Sequence, residues 1–224
     1  MRRIPYASAI GSLMYAMVCT RPDICYLVRI VSRYQSNPGL DHWSAVKNIL
    51  KYLRRTKSLM LVYESDDLVR IGYTDSDFQS DLDARRSTSG YVFKLNGGAV
   101  SWKNVKHSST ADSTMEAEYI AASEAAKEVI WLRNFLIELE VMKHIDRPMT
   151  LHCDNSAAIT QTKDPKFHKG TRHIQRKYHV VRDIVKQGDI LVAKIHLADP
   201  FIKALPIKMF DRHMENMRVR CDSN

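Results

Sequence analysis

Four carboxylates, Asp75, Glu118, Asp154 and Asp199, stand where an acidic side chain is either costly or well placed for chemistry. Glu118 is the clearest. Steps of three or four residues from it reach Ala122, Ala125, Val129, Leu132 and Leu136, an apolar helical stripe, whereas the same steps from Glu116 reach Ser123, Lys127 and Asn134, a polar one. An ionised carboxylate on a buried stripe needs a cation, a hydrogen-bond network or a metal ion beside it. Asp75 closes the run Ile71-Gly72-Tyr73-Thr74 and Asp154 closes Thr150-Leu151-His152-Cys153, and strand ends of this kind collect ligand-binding groups. Asp199 stands before Pro200. Each has an ordinary alternative: the edge of the stripe for Glu118, a turn aspartate among Asp77, Asp81 and Asp83 for Asp75, and a helix cap for Asp154 and Asp199.

Taken together, three or four carboxylates at one sheet edge repel one another unless multivalent cations sit among them. Mg²⁺ and Mn²⁺ suit such oxygen-rich sites and keep several waters, so a few carboxylates and a substrate phosphate complete the coordination. Two ions about 3.5–4 Å apart activate a water on one side of a phosphodiester and stabilise the leaving oxygen on the other. Metal-dependent phosphodiester hydrolysis is the chemistry this set of residues would perform.

The elements that must position these groups follow from periodicity. In the first sixty or so residues, Ala9, Leu13, Met14 and Met17 recur at helical spacing. Pro22 and Asp23 open a second helix through Tyr34, and Asn37-Pro38-Gly39 is a stop. A third helix is expected from Asp41 as N-cap to Arg54, with Trp43, Val46, Ile49, Leu50 and Leu53 as its apolar stripe. After Ser58 the period becomes two. Residues 59–63 and 68–74 read as strands, and 90–95 with 99–103 as a hairpin turned at Asn96-Gly97-Gly98, so a small antiparallel sheet comes first. Helix then alternates with strand: a long Ala-rich helix over 113–139, a strand over 149–153, a short helix over 155–162, a helix over 173–186 and a strand over 190–195. This order predicts an α/β fold, a mixed sheet flanked by helices and preceded by a small helical segment.

Composition sets the limits. With 45% hydrophobic and 26% charged residues the chain can bury a core and lacks the signature of disorder. The net charge of +9 is uneven: residues 1–58 carry ten basic and two acidic side chains, +8, which leaves +1 for the rest. A polyanion is therefore expected to be gripped partly by the N-terminal segment, unless that charge only solvates a helix face. Cys19, Cys25, Cys153 and Cys221 form no C-x-x-C pair, which argues against structural zinc or a disulfide framework and for a reducing, intracellular compartment. The start, Met-Arg-Arg followed by apolar residues 7–19, superficially resembles a signal peptide, but Gly11, Ser12 and Tyr15 interrupt the run. It is also far short of the roughly 20 residues a membrane span needs, so neither secretion nor a membrane is expected.

Several ordered motifs carry a family resemblance over nearly the whole chain. These are Gly72-Tyr73-Thr74-Asp75-Ser76-Asp77, Arg86-Ser87-Thr88-Ser89-Gly90-Tyr91-Val92-Phe93, Gly98-Ala99-Val100-Ser101-Trp102, Glu116-Ala117-Glu118-Tyr119-Ile120-Ala121, Cys153-Asp154-Asn155 and Ala198-Asp199-Pro200-Phe201. Together they resemble the RNase H region closing the Pol polyprotein of Ty1/copia-type retrotransposons, plant ones especially. The stretch from Tyr6 to Tyr63, including Gly11-Ser12-Leu13-Met14-Tyr15 and Thr20-Arg21-Pro22-Asp23-Ile24, resembles the tail of the same polyprotein's reverse transcriptase. The resemblance implies an RNase H-like, mixed five-stranded sheet flanked by helices over 59–224, after a helical reverse-transcriptase remnant over 1–58. No Tyr-Val-Asp-Asp type motif is present, so no DNA synthesis is expected.

By resemblance, Asp75, Glu118 and Asp154 are the catalytic, metal-binding carboxylates and Asp199 is the fourth. Asp75 would bridge two Mg²⁺ (or Mn²⁺) ions, Glu118 and Asp154 would hold one or the other, and Asp199 would complete a site. The implied activity is hydrolysis of the RNA strand of RNA·DNA hybrids, with little dependence on base sequence because the 2′-hydroxyl and the duplex shape set substrate choice. The implied partners are the hybrid and the reverse-transcriptase part of the polyprotein, with no small-molecule cofactor, and the implied address is the cytoplasm, including virus-like particles. Two departures bear on Asp199: Lys194-Ile195-His196 is shorter than the matching segment in relatives, and Ile202 replaces a Thr. The histidine that assists product release in many RNases H has no clear counterpart, since His196 lies too close to Asp199.

Lys163, Lys166, Lys169, Arg172, Arg176 and Lys177, interleaved with aromatic residues and His168, His173 and His179, are expected to face the hybrid backbone, where phosphate contacts position without reading sequence. A solvated basic helix is the plain alternative. Zinc is disfavoured because histidine spacings of five and six do not align on one helix face. Two other functions stay open: a decayed copy that grips hybrids or structured RNA without cutting, and a nuclease of duplex DNA on the same fold.

Overall fold

The computed structural model describes residues 4–63, 69–80, 85–107, 110–141, 148–163, 172–194 and 205–221. The N-terminal helical pattern folds into α1 (Tyr6–Cys19), a 3-10 turn (Pro22–Ile24), α2 (Cys25–Ser32) and α3 (Leu40–Arg55). Tyr6, Ile10 and Leu13 meet Ile24, Val28, Val31, Val46 and Ile49 in a core that these helices close among themselves. A polar clasp holds the joints. The Arg21 guanidinium pairs with Asp23 at 2.7 Å and donates to Thr56 Oγ1 at 2.8 Å, while the Tyr52 hydroxyl donates to Asp23 at 2.7 Å.

The sheet is built from β2 (Arg70–Asp77), β3 (Thr88–Leu95), β4 (Gly98–Lys106), β5 (Met149–Cys153) and β6 (Ile190–Lys194), in the order β4-β3-β2-β5-β6. β2, β3 and β4 are antiparallel, whereas β5 joins β2, and β6 joins β5, in parallel. The β3–β4 turn has positive φ at both Asn96 (52°) and Gly97 (80°), the backbone that a tight hairpin turn demands. Parallel pairing requires crossovers, supplied by α4 (Thr114–Glu138) before β5 and by α5 (Ser156–Lys163) and α6 (Arg172–Lys186) before β6. On one sheet face Tyr91, Phe93, Leu151 and Cys153 pack with Tyr119, Ala125 and Val129 of α4 and with Val181 and Ile184 of α6. Val92 and Ala99 meet Cys25, Met214, Met217 and Val219, with Trp102 beside them. That second face therefore receives the N-terminal helices and the C-terminal pair α7 (Ile207–Asn216) and β7 (Val219–Cys221), and Trp102 Nε1 donates to Met17 O at 3.0 Å.

Several sequence expectations need correction. The strand expected over 59–63 is shorter, β1 (Leu59–Leu61), and pairs with β7 in a separate two-stranded ribbon instead of joining the main sheet. α7 and β7 were not foreseen. Asp41 is not a cap: Gly39 precedes the helix and its N–H donates to His42 Nδ1 at 2.8 Å. The second helix opens as a 3-10 turn and ends at Ser32, not Tyr34. Met14 and Leu50, assigned to apolar stripes, are exposed, and α1 buries Tyr6 and Ile10 in their stead. Glu116 and Ser123, read as a wet face, are buried, because α4 is covered on every side between Glu116 and Ala126 apart from the partly exposed Glu124.

Candidate active site

β2 does not end at Asp75, as its sequence suggested; the strand continues to Asp77, with Asp75 opposite Gly90 of β3. An aspartate inside a strand has no turn to make. Asp75 is 3% exposed, and its Oδ1 accepts from the Ser76 N–H at 2.8 Å. That amide is shared, because Glu118 Oε1 accepts from it at 3.0 Å and from the Ser76 hydroxyl at 2.9 Å. One strand residue thus ties together two carboxylates far apart in sequence.

α4 supplies Glu118. Ser113 caps the helix, its hydroxyl accepting from the Glu116 N–H at 3.1 Å, and fixes where the first turn meets the sheet. Glu118, one turn further in, is 6% exposed, which removes the stripe-edge alternative. Its Oε2 accepts from the Cys153 thiol at 3.9 Å. Ligand atoms of Glu118, Cys153 and Asp154 lie within 4.8 Å of one another. Asp154 follows β5 and is exposed, and it does not cap α5: Asn155 Oδ1 accepts from the Ala157 and Ala158 N–H groups at 2.9 and 3.1 Å. The capping role falls to Asn155, so the Asp154 carboxylate is not spent on the helix.

Electrostatics follow from this crowding. Burial, then the charge of Asp154, pushes the Glu118 carboxyl up to about 7, against the hydrogen bonds from Ser76 and Asp75 that lower it. The Cys153 thiol is pushed up to about 12, mainly by burial, with the negative charges of Glu118, Asp154 and Asp75 adding to it. At neutral pH it is a neutral thiol, so the donors on offer are carboxylate oxygens. Such a set fits hard, oxygen-seeking divalent cations: adding positive charge offsets the burial and the repulsion from Asp154 that together hold the Glu118 carboxyl up.

Sequence reasoning missed Ser76 and Cys153. Their signal is adjacency to Asp75 and Asp154, but which way each side chain points depends on α4. Asp199, Lys166 and Lys169, and the side chains of Lys163, Arg172, Arg176 and Lys177, lie outside the described residues, as do Asp81 and Asp83.

Known proteins resemble the chain in sequence and in fold. No family model matches the chain. The Pol polyprotein of transposon TNT 1-94 from Nicotiana tabacum is 45% identical over 94% of the chain and 16% of its own length, and that of transposon RE2 from Arabidopsis thaliana 33% over 96% and 15%. A secreted RxLR effector protein, 161, of Plasmopara viticola is 46% identical over 59% of the chain and 94% of that protein. Among solved structures, a foamy viral protease–reverse transcriptase (dRH) in complex with double-stranded DNA aligns with 90% of the chain and 32% of its own at 12% identity, TM-score 0.51. LC11-RNase H1 in complex with RNA/DNA hybrid aligns with 65% and 99% at 14% identity, TM-score 0.42.

A mixed β4-β3-β2-β5-β6 sheet with a long helix laying a glutamate beside the central strand's aspartate is an RNase H-like fold. The chain belongs to the Pol polyproteins of plant copia-type retrotransposons, of which it spans about a sixth of the length.

Proposed function

We propose that this chain is the RNase H region of such a polyprotein and cleaves the RNA strand of RNA·DNA hybrids at Asp75, Glu118 and Asp154, with Asp199 as fourth carboxylate. The reading rests on one observation: Asp75 and Glu118 share the Ser76 amide, while burial and then the nearby Asp154 push the Glu118 carboxyl up to about 7. Asp75, Glu118 and Asp154 would hold two Mg²⁺ or Mn²⁺ ions, which when bound supply activation of a water and stabilisation of the leaving oxygen.

The chain's own residues prepare that site. Ser76 orients two carboxylates with one amide and one hydroxyl, and the packed stem of Glu118 excludes bulk water from one side. Asp154 stays exposed at the mouth, where substrate phosphate would approach. Lys163, Lys166, Lys169, Arg172, Arg176 and Lys177 would position the duplex backbone. We also propose that the RNase H-like unit begins near residue 59; the separate core of α1–α3 supports a helical segment before it. No described helix is long and apolar enough to cross a membrane.

The test is cleavage of a labelled RNA·DNA hybrid with Mg²⁺ or Mn²⁺. Metal-dependent shortening of the RNA that disappears in Asp75→Asn supports the enzyme; a gel shift without cleavage assigns a binding role, and cutting of plasmid DNA a duplex nuclease.

A further inference from the structure

The second face of the sheet carries a small, mostly apolar pocket that holds an arginine and that the carboxylate site does not use. α2 packs against β4, the edge strand, and the Asn104 backbone N–H bonds the Cys25 thiol there. Residues four apart share a helix face, so Cys25, Arg29 and Arg33 form one stripe along this seam. Arg29 lines a cavity of about 180 Å³ with Met14, Met17, Val28, Ser32, Trp102 and Asn104, so its guanidinium sits in a largely apolar wall.

Arg29 is poorly served by the protein. Its Nε is buried without a hydrogen-bond partner, and among the described residues no carboxylate pairs with it. Burial, then the like charge of Arg33, pulls its pKa down. A half-buried guanidinium in such a place costs stability that a bound anion restores. Register places the pocket relative to the carboxylates. Asp75 of β2 lies opposite Gly90 of β3, and Gly90 opposite Asn104 of β4, so Asn104 and Asp75 share a cross-strand row and a sheet face. Two strand spacings put them about 10 Å apart.

We propose that the α2–β4 seam takes a backbone phosphate of the nucleic acid whose scissile bond lies at Asp75, with Arg29 as its central contact and Arg33, one turn along the same stripe, beside it. The proposal rests on the nuclease reading above and adds a contact from the N-terminal segment. The row shared with Asp75 favours a nucleic-acid phosphate over a free anion.

The experiment measures binding of a 20-base-pair fluorescent RNA·DNA hybrid in EDTA by anisotropy across salt concentrations, for wild type, Arg29→Met and Arg29→Lys. Loss of one phosphate contact should weaken binding about tenfold at low salt in Arg29→Met and reduce the slope of log K against log salt by about one, with partial retention in Arg29→Lys. Arg29→Met should melt no lower than wild type, since it replaces an unsatisfied cation with an apolar side chain of similar length. Equal affinity and equal slope in Arg29→Met overturn the proposal, even where wild type cleaves the hybrid. Tight, Arg29-dependent binding by a wild type that does not cleave upholds the phosphate contact at Arg29 while sinking the catalytic reading. Failure of wild type to bind at all removes both. If inorganic phosphate at matched ionic strength raises the wild-type melting temperature through Arg29 while hybrid affinity ignores the substitution, the pocket serves a free anion and the proposal falls.

Discussion

Replacing Glu118 by Gln should make the metal-free protein more stable while removing its use as a metal ligand. Burial and Asp154 raise the carboxyl from 4.5 to about 7. The folded protein therefore holds this proton more tightly than the unfolded chain does. The resulting stability is fully present below pH 4.5 and is lost as pH rises through about 7. At about 1.4 kcal/mol per unit, the ionised wild type at pH 8 sits about 3 kcal/mol below what a neutral side chain of the same shape would allow. Gln keeps the Ser76 hydrogen bonds to Oε1 and gains an N–H to offer Asp75. Urea denaturation in EDTA should show wild type losing about 3 kcal/mol between pH 4.5 and 8, with Glu118→Gln nearly flat and the curves meeting at low pH. Magnesium at 100 times its dissociation constant should return about 2.7 kcal/mol to wild type and little to the variant. A variant less stable than wild type at pH 8 in EDTA, or an advantage independent of pH, would refute the crowded-carboxylate argument.

Asp75→Asn and Asp154→Asn should each abolish hybrid cleavage, and isothermal titration should show weakened Mg²⁺ binding; full activity in either removes that residue from the site. Gly72→Ala should cost about 1–3 kcal/mol in denaturant melts, because a Cβ there would run into the Phe93 ring and Leu151, and an unchanged midpoint would mean that the core yields freely. Asp23→Ala strips the carboxylate from Arg21, which is 7% exposed, and should cost about 3 kcal/mol or more, measured the same way. Thiol titration of the native protein at pH 8 should find Cys19 and Cys221 fast and Cys25 and Cys153 slow, since burial holds the latter two near 12; four fast thiols would contradict the packing.

Much of the sheet was legible in the chain because period-two alternation and turn chemistry are local. The strand expected over 149–153 coincides with β5, and Asn96-Gly97 makes the turn it was expected to make. The long helix expected over 113–139 is α4 within one residue at each end, since Ser113 caps it and its apolar stripe is continuous. Glu118 was picked out by its place on that stripe, and its burial agrees. The neighbouring Glu116 misled, because a polar spacing along a helix does not reveal that later elements will cover both faces. β1 misled too: three residues of strand pattern carry no information on whether the partner is the adjacent β2 or β7, far along the chain.

The sequence by itself determined the elements, the uneven charge and a short roster of acidic candidates, because propensity and periodicity act over a few residues. Tertiary structure alone decided that Ser76 would reach Glu118 across 42 positions, that Asn155 would take the capping role from Asp154, and that Asn104, which lines a pocket with Arg29, would share a cross-strand row with Asp75. Electrostatic energy depends on distance through space and on the dielectric around each charge, and both are set only when the chain closes on itself.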